Sequence, residues 1–266
     1  MKKLKGKVLA VISPKGGVGK TVTTSNLAIA LSTVYNMKIL AIDANVTTAS
    51  LGFHFNLIYP EVTIYNILKM DFSIKDAIYK YNDNLDIIPA SIVIEKKDQN
   101  IGNMQNSVRH IVNHFDILLS EVVPDYDMVL LDAAGGFSTE SIAAMGVADS
   151  LLLVTNPEYP AILATAKCIE YAKLAKVPIY GILLTKVTGK NYELTREEIE
   201  DALKIDVIGV VPMDINVSKA IAEKVPVMVF KPYSKVSIAY KKIAGAIVER
   251  EYEPSFIGKI RDILKV

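Results

Sequence analysis

The sequence predicts an α/β fold: a doubly wound, mostly parallel sheet flanked by helices. Three observations predict it. Short apolar, β-branched runs recur along the 266 residues and alternate with longer stretches of helical period, the pattern of repeated βα units. Hydrophobic residues make up 51% of the chain, which suits strands buried on both faces better than a half-solvated antiparallel sheet. The first run leads through a glycine-rich turn straight into a long helical segment.

Taken in chain order, residues 7–12 form the first strand and 20–34 the first helix. A second strand follows at 38–43. Residues 44–98 are the least regular region, and there the sequence predicts a mobile loop and short helices around one strand at 85–89. A helix over 101–118 precedes a strand at 128–132, a helix at 139–148 and a strand at 150–155. The pattern continues with helix 159–175, strand 179–185, helix 196–203, strand 207–211 and helix 216–223. The apolar run 227–230 reads as a short further strand, and a helix spans 237–251. Strands separated by helices imply right-handed crossovers. Pro254 divides the main domain, residues 1–253, from a final segment at 254–266.

The bulk numbers exclude several classes. A net charge of +1 gives no global attraction to nucleic acid, so any basic surface is local. The charged start, with Lys2, Lys3, Lys5 and Lys7, lacks the apolar region and cleavage site of a secretory signal. No stretch approaches the ~18 apolar residues of a spanning helix. Cys168 is the only cysteine, which excludes an internal disulfide and a cysteine-held cluster within one chain. The expectation is a cytoplasmic protein.

The chemistry concentrates in Ser13-Pro14-Lys15-Gly16-Gly17-Val18-Gly19-Lys20-Thr21, between a β-branched strand and a long helix. Glycines let successive backbone N–H groups turn toward one anion, and the helix N-terminus adds partial positive charge. Lys20 would hold the β- and γ-phosphates of a nucleotide and the Thr21 hydroxyl would ligate Mg²⁺. A glycine turn that merely caps a helix would need neither lysine at these positions.

Two aspartates end predicted strands, at the sheet edge where open α/β folds bind ligands. Asp132 leads into Ala133-Ala134-Gly135-Gly136, and Asp43 opens Ala44-Asn45-Val46-Thr47-Thr48. A carboxylate so placed can hold Mg²⁺ through water, or simply cap the next helix.

The narrower pattern Lys-Gly-Gly-Val-Gly-Lys-Thr resembles the deviant phosphate loop of the MinD/ParA family, closest to its MinD-like members. The resemblance extends over nearly the whole chain and implies the P-loop NTPase fold. It implies ATP and Mg²⁺ as cofactors, bound by Lys15, Gly16, Gly17, Val18, Gly19, Lys20, Thr21 and Val22. Val22 replaces the family's second threonine, so its backbone contact is retained and the hydroxyl is not. In that family Lys15 reaches across a dimer interface, which implies a homodimer formed with ATP. Asp132 matches the Walker B aspartate and switch II, and Asp43 matches switch I; with Thr21 they would form the metal site. Asn45 stands where the family usually has a second aspartate that orients the attacking water. An amide can hold a water but cannot accept its proton, which implies slow, partner-stimulated hydrolysis. Thr185 replaces an asparagine that reads adenine in relatives, and Pro212 and Asp214 match a turn bordering the base. No Asn-Lys-x-Asp element is present, which favours ATP over GTP.

The final segment has helical period. At about 3.6 residues per turn, Phe256, Ile257, Ile260, Ile263 and Leu264 fall in an arc of about 120°, flanked by Lys259 and Arg261. Such a stripe either docks on the chain's own core or lies in a membrane interface. The resemblance to MinD implies the membrane, with a dimer presenting two tails. It also implies an activator or cargo protein that the sequence does not identify.

His110 and His114 share a helix face without acidic or cysteine partners. Cys168 reads as a small core residue. Lys219, Lys224, Lys231, Lys235, Lys241 and Lys242 are either a solvated surface or a DNA-contacting patch. Four functions follow: a membrane-cycling MinD-like ATPase, a ParA-like DNA-partitioning ATPase, a ligase on the same fold, and a nucleotide-binding member with little hydrolysis. Lys15 argues against the ligase.

Overall fold

A computed structural model describes residues 6–46, 48–69, 72–91 and 108–253, with the backbone alone at 108–111 and 113. The final segment at 254–266, and with it the amphipathic-tail expectation, lies outside the described residues. So does the 101–107 portion of the helix expected over 101–118.

Eight strands form one sheet: β1 (Lys7–Ser13), β2 (Ile39–Asp43), β3 (Tyr79–Asn82), β4 (Leu85–Ile88), β5 (Met128–Gly135), β6 (Ser150–Thr155), β7 (Ile179–Val187) and β8 (Val207–Pro212). Their spatial order is β3-β4-β2-β5-β1-β6-β7-β8. All neighbours pair in parallel except the antiparallel β3–β4 pair at one edge. The helices are α1 (Lys20–Thr33), α2 (Ile64–Leu68), α3 (Val108–Val122), α4 (Thr139–Gly146), α5 (Tyr159–Ala175), α6 (Arg196–Leu203), α7 (Ile215–Ala222), α8 (Val227–Phe230) and α9 (Lys235–Ile247).

Alternation along β1 explains the layering, because successive strand residues face opposite sides. Val8, Ala10 and Ile12 enter a core closed by Phe115 and Leu119 of α3, Met145 of α4, Ile162 and Ile169 of α5 and Ile199 of α6. Leu9 and Val11 enter the other core, closed by Leu27 and Leu31 of α1 and by Tyr240 and Ile243 of α9. A parallel sheet covered on both faces accounts for the apolar composition.

Two expectations are corrected. Residues 227–230 form α8, not a strand. Pro226 sets the entry with φ −61°, and the Met228 N–H donates to Asn26 Oδ1 at 2.9 Å, so the run packs end-on against α1. A four-residue apolar run carries no periodicity that separates the two outcomes. The irregular region holds two strands, not one. β3 is a short edge strand with the exposed Lys80, the charged edge that discourages pairing with another sheet, and its half-exposed residues give little apolar signal.

β5 separates β1 from β2, and β6 lies on the far side of β1. The connection leaving β1 runs to β2 and the one leaving the neighbouring β5 runs the opposite way to β6, so they diverge and open a crevice at the carboxyl ends of this pair.

Candidate functional site

β1 ends at the buried Ser13, and the chain wraps through residues 14–19 into α1. Gly17 (φ +76°) and Gly19 (φ +99°, the N-cap of α1) adopt left-handed backbone that glycine occupies without strain. Lys20 is buried, and its Nζ donates to Ser13 Oγ at 3.2 Å. That hydroxyl donates in turn to the Lys15 carbonyl at 2.6 Å. Burial lowers the Lys20 pKa, opposed by the charge of Asp132. Lys15 stands exposed at the rim of the loop.

Strand register brings the two carboxylates together. Asp43 of β2 pairs directly with Asp132 of β5, and the Ala44 N–H donates to the Asp132 carbonyl at 3.0 Å. Asp132 accepts from Thr21 Oγ1 at 2.7 Å and from Thr24 Oγ1 at 3.0 Å. Thr21 and Thr24 are three apart on α1, so both hydroxyls share the face turned to β5. Asp43 accepts from the backbone N–H groups of Asn45 (3.1 Å), Ser50 (2.9 Å) and Leu51 (2.9 Å), which fold the loop after β2 around it. Ser50 Oγ lies 2.9 Å from Thr21 Oγ1 and closes the cluster.

Both carboxyls are buried and both are raised above the ordinary range. For Asp43 burial is the main cause and the charge of Asp132 the second, against three backbone donors that lower it. For Asp132 burial again dominates, against the Thr21 bond, the Lys20 charge and the Thr24 bond.

Asn45 sits beside this cluster with its amide turned to its own loop. Nδ2 donates to the Thr48 carbonyl at 2.7 Å, and Oδ1 accepts from the Thr48 N–H at 3.2 Å. Val22, in the first turn of α1, is half-buried against the α1–α9 core.

Of the expected base residues, Thr185 is buried, and its hydroxyl donates to the Val18 carbonyl beneath the phosphate loop. Asp214 caps α7, accepting from the Asn216 N–H at 2.8 Å, and Pro212 ends β8 opposite Val187. Thr185 thus lies against the loop from β7, with Pro212 and Asp214 at the carboxyl end of β8, while Thr21, Asp43 and Asp132 converge at the ends of β2 and β5 with Lys20 beside them.

Several site residues carry no motif of their own. Thr24 was legible only as a hydroxyl one turn beyond Thr21. Ser50 and Asn156 are brought in by tertiary contact, and Asn156 Nδ2 donates to Thr185 Oγ1 at 3.0 Å. Lys186 Nζ donates to the Gly17 carbonyl at 2.6 Å. Gly135 packs so closely that a Cβ there would lie 3.2 Å from Gly16 Cα and 3.4 Å from Lys20 Nζ. The Gly136 N–H donates to the Ser13 carbonyl at 3.1 Å.

Elsewhere, Cys168 is a buried residue of α5 whose thiol burial pushes up to about 12, consistent with a packing role. The side chain of His110 lies outside the described residues, and among the described residues no group of three His, Cys, Asp or Glu could hold a metal ion. No described helix is long and apolar enough to cross a membrane.

Two family profiles match the chain: one described as an AAA domain over residues 6–179, and one described as a CobQ/CobB/MinD/ParA nucleotide binding domain over residues 161–227. An ATP-binding protein of Methanocaldococcus jannaschii is 32% identical, covering 97% of this chain and 98% of its own length. The cell division ATPase MinD of Pyrococcus furiosus superposes with a TM-score of 0.82 at 28% identity, covering 92% of this chain and 99% of its own. The septum site-determining protein MinD of Pyrococcus horikoshii, solved with Mg-ADP, gives 0.80 at 26% identity over 91% of this chain and 95% of its own.

Proposed function

Because the chain belongs to the MinD/ParA family of P-loop ATPases, we propose that it is an ATP-driven switch that dimerises on ATP, attaches to a membrane and positions a partner complex. The observation that carries the reading is the convergence of Lys20, Thr21, Asp43 and Asp132 at the carboxyl edge of β1, β2 and β5. In this reading the N–H groups from Gly16 to Val22 cradle the phosphates, Lys20 meets the β- and γ-oxygens, and Pro212 and Asp214 border the base.

The donor set suits Mg²⁺. Paired buried carboxylates and the hydroxyl of Thr21 are hard oxygen ligands of the kind Mg²⁺ takes. Thr21 would hold the ion directly and Asp43 and Asp132 through water. When bound, Mg²⁺ neutralises charge on the phosphate oxygens.

Hydrolysis requires a water aligned with the γ-phosphorus. Asn45 can hold that water by hydrogen bond and accepts no proton, so positioning is its whole contribution. Its amide bonds to Thr48 must open first, which supports slow basal turnover raised by an activator. Lys15, exposed at the loop rim, is free to reach a nucleotide held by a second copy.

The apolar stripe expected in residues 254–266 supports membrane rather than DNA as the platform. The DNA-partitioning alternative also loses one cation, since Lys241 is buried and donates to the Pro232 carbonyl at 2.8 Å.

The test is ATPase rate with and without anionic vesicles, with co-sedimentation in ATP and in ADP. ATP-dependent pelleting with lipid-stimulated turnover is expected. Removing residues 254–266 should leave ATP binding intact and abolish pelleting; a truncated chain that still pellets would sink the membrane reading.

A further inference from the structure

The end of β7 is irregular. Leu184 pairs with Val210 and Val187 with Pro212, so residues 185 and 186 oppose a single residue of β8. This is a β-bulge, a device that re-aims side chains beside functional sites. At its second position Lys186 adopts φ +56°, left-handed backbone that side chains other than glycine rarely adopt. The outcome is specific. The exposed Lys186 reaches back to the Gly17 carbonyl at 2.6 Å, while the buried Thr185 hydroxyl donates to the next carbonyl, that of Val18. Asn156, at the end of β6, fixes Thr185 by donating to its carbonyl and its hydroxyl, both at 3.0 Å.

Peptide geometry turns these two bonds into an effect on the loop. The carbonyl and N–H of one trans peptide point in opposite directions. Drawing the Gly17 carbonyl toward β7 turns the Val18 N–H away from β7. Drawing the Val18 carbonyl the same way turns the Gly19 N–H likewise. Two successive N–H groups are thereby presented together, the arrangement that binds anions. Glycines permit this shape at 17 and 19, but glycine permits many others as well.

We propose that Lys186 and Thr185 are positioning residues that hold the phosphate loop in its anion-binding form, so that affinity for the triphosphate depends on two side chains that do not touch it. This rests on the loop binding a nucleotide. It also assigns Thr185 to the phosphates rather than to the base.

The effect separates cleanly from base recognition. A residue acting through the loop changes affinity for every triphosphate equally, whereas a residue reading the base changes affinity for nucleotides alone. The experiment titrates the full chain, Lys186→Met, Lys186→Arg and Thr185→Val calorimetrically with ATP, GTP and inorganic tripolyphosphate, each with Mg²⁺. Lys186→Met should weaken all three by a common factor of about 10, the lower end for loss of a charged hydrogen bond. Lys186→Arg, which keeps a donor, should restore most of the affinity. Thr185→Val should act on all three alike. Thermal melting without ligand should change little for Lys186→Met, because the side chain is exposed. Unchanged affinity in Lys186→Met overturns the proposal. So does a loss confined to ATP and GTP with tripolyphosphate unaffected, which would make Lys186 a base contact. If the unmodified chain binds none of the three, the ATPase reading falls and the clamp falls with it; a defect in the variants alone bears on the clamp.

Discussion

The buried pair Asp43–Asp132 makes the stability of the protein without ligands depend on pH in a direction that can be worked out. Burial and the charge of Asp132 push Asp43 up to about 7, and burial pushes Asp132 up to about 6. In the unfolded chain both titrate near about 4. Between these limits the folded state binds more protons than the unfolded state, so the contribution is full at low pH and is lost as pH rises through the folded values. His54 works the other way. Burial lowers it to about 4, and its neutral form stabilises the fold increasingly as pH rises, levelling only about one unit above its unfolded value of about 6.5. From about pH 6.5 to about pH 8 the carboxylates are the larger effect, opposed by the last part of the His54 change. Integrating the linkage over that window gives a loss of about 1 kcal/mol for the carboxylate pair taken together, of which His54 offsets rather less than half. For a chain of this size the melting temperature then falls by about 1–2 °C. The assay is calorimetric melting in chelator at several pH values, on the unmodified chain and on Asp43→Asn. An asparagine oxygen satisfies fewer than the three backbone donors at this position, so the variant melts lower throughout. Its pH slope in this window should nevertheless vanish or turn slightly upward as the His54 effect is left, and the slope is the readout. A melting temperature that rises from about pH 6.5 to about pH 8, or an equal slope in the variant, would refute the reasoning. Saturating Mg²⁺ with ATP should also flatten the slope of the unmodified chain.

Three further outcomes follow from the same geometry. Lys20→Met should reduce ATP affinity by about 100-fold or more in calorimetric titration, since a buried, charge-assisted phosphate contact is removed. Its melting temperature should change by only a few degrees, because relief from burying the ammonium is offset by loss of its charge beside Asp132; a large fall would show that Lys20 is structural. Asn45→Asp removes the amide donor to the Thr48 carbonyl and places a carboxylate by the attacking water, so phosphate release should quicken. An unchanged rate would show that this position does not limit turnover. Gly135→Ala puts a methyl 3.2 Å from Gly16 Cα, which should destabilise the fold by about 1 kcal/mol and weaken ATP binding several-fold. Unaltered binding would mean that the phosphate loop yields freely to its neighbour.

The turn between β1 and α1 and the place of both aspartates at the sheet edge were legible in the sequence for one reason: both are local features of contiguous residues. Lys15 to Thr21 must be adjacent to wrap one anion, and Asp43 and Asp132 each close an apolar run. The contacts that complete the site were not legible because they join residues far apart in the chain. Thr185 and Val18 meet across a sequence separation of 167, and Lys186 and Gly17 across 169. Thr185 illustrates the limit. Its place at the end of β7 was readable, but its hydroxyl points under the loop, and orientation is a property of the bulge. The same holds for α8, where the side chain of Asn26 supplies the bond that selects a helix turn over a strand. The irregular region concealed β3 because an edge strand needs no strong apolar alternation.

The position of β5 between β1 and β2 has a consequence for biosynthesis. A nascent chain that has emerged only as far as β4 already contains the entire phosphate loop and Asp43, yet β1 and β2 have no shared ladder on which to meet. They become part of one sheet only when β5 is inserted between them, and the same strand delivers Asp132. Proteins fold vectorially during synthesis, so the early half of this chain carries a nucleotide signature it cannot use. Nucleotide capture thus reports completion of the central sheet, and ATP in the cell would stabilise finished molecules while leaving incomplete ones to quality control.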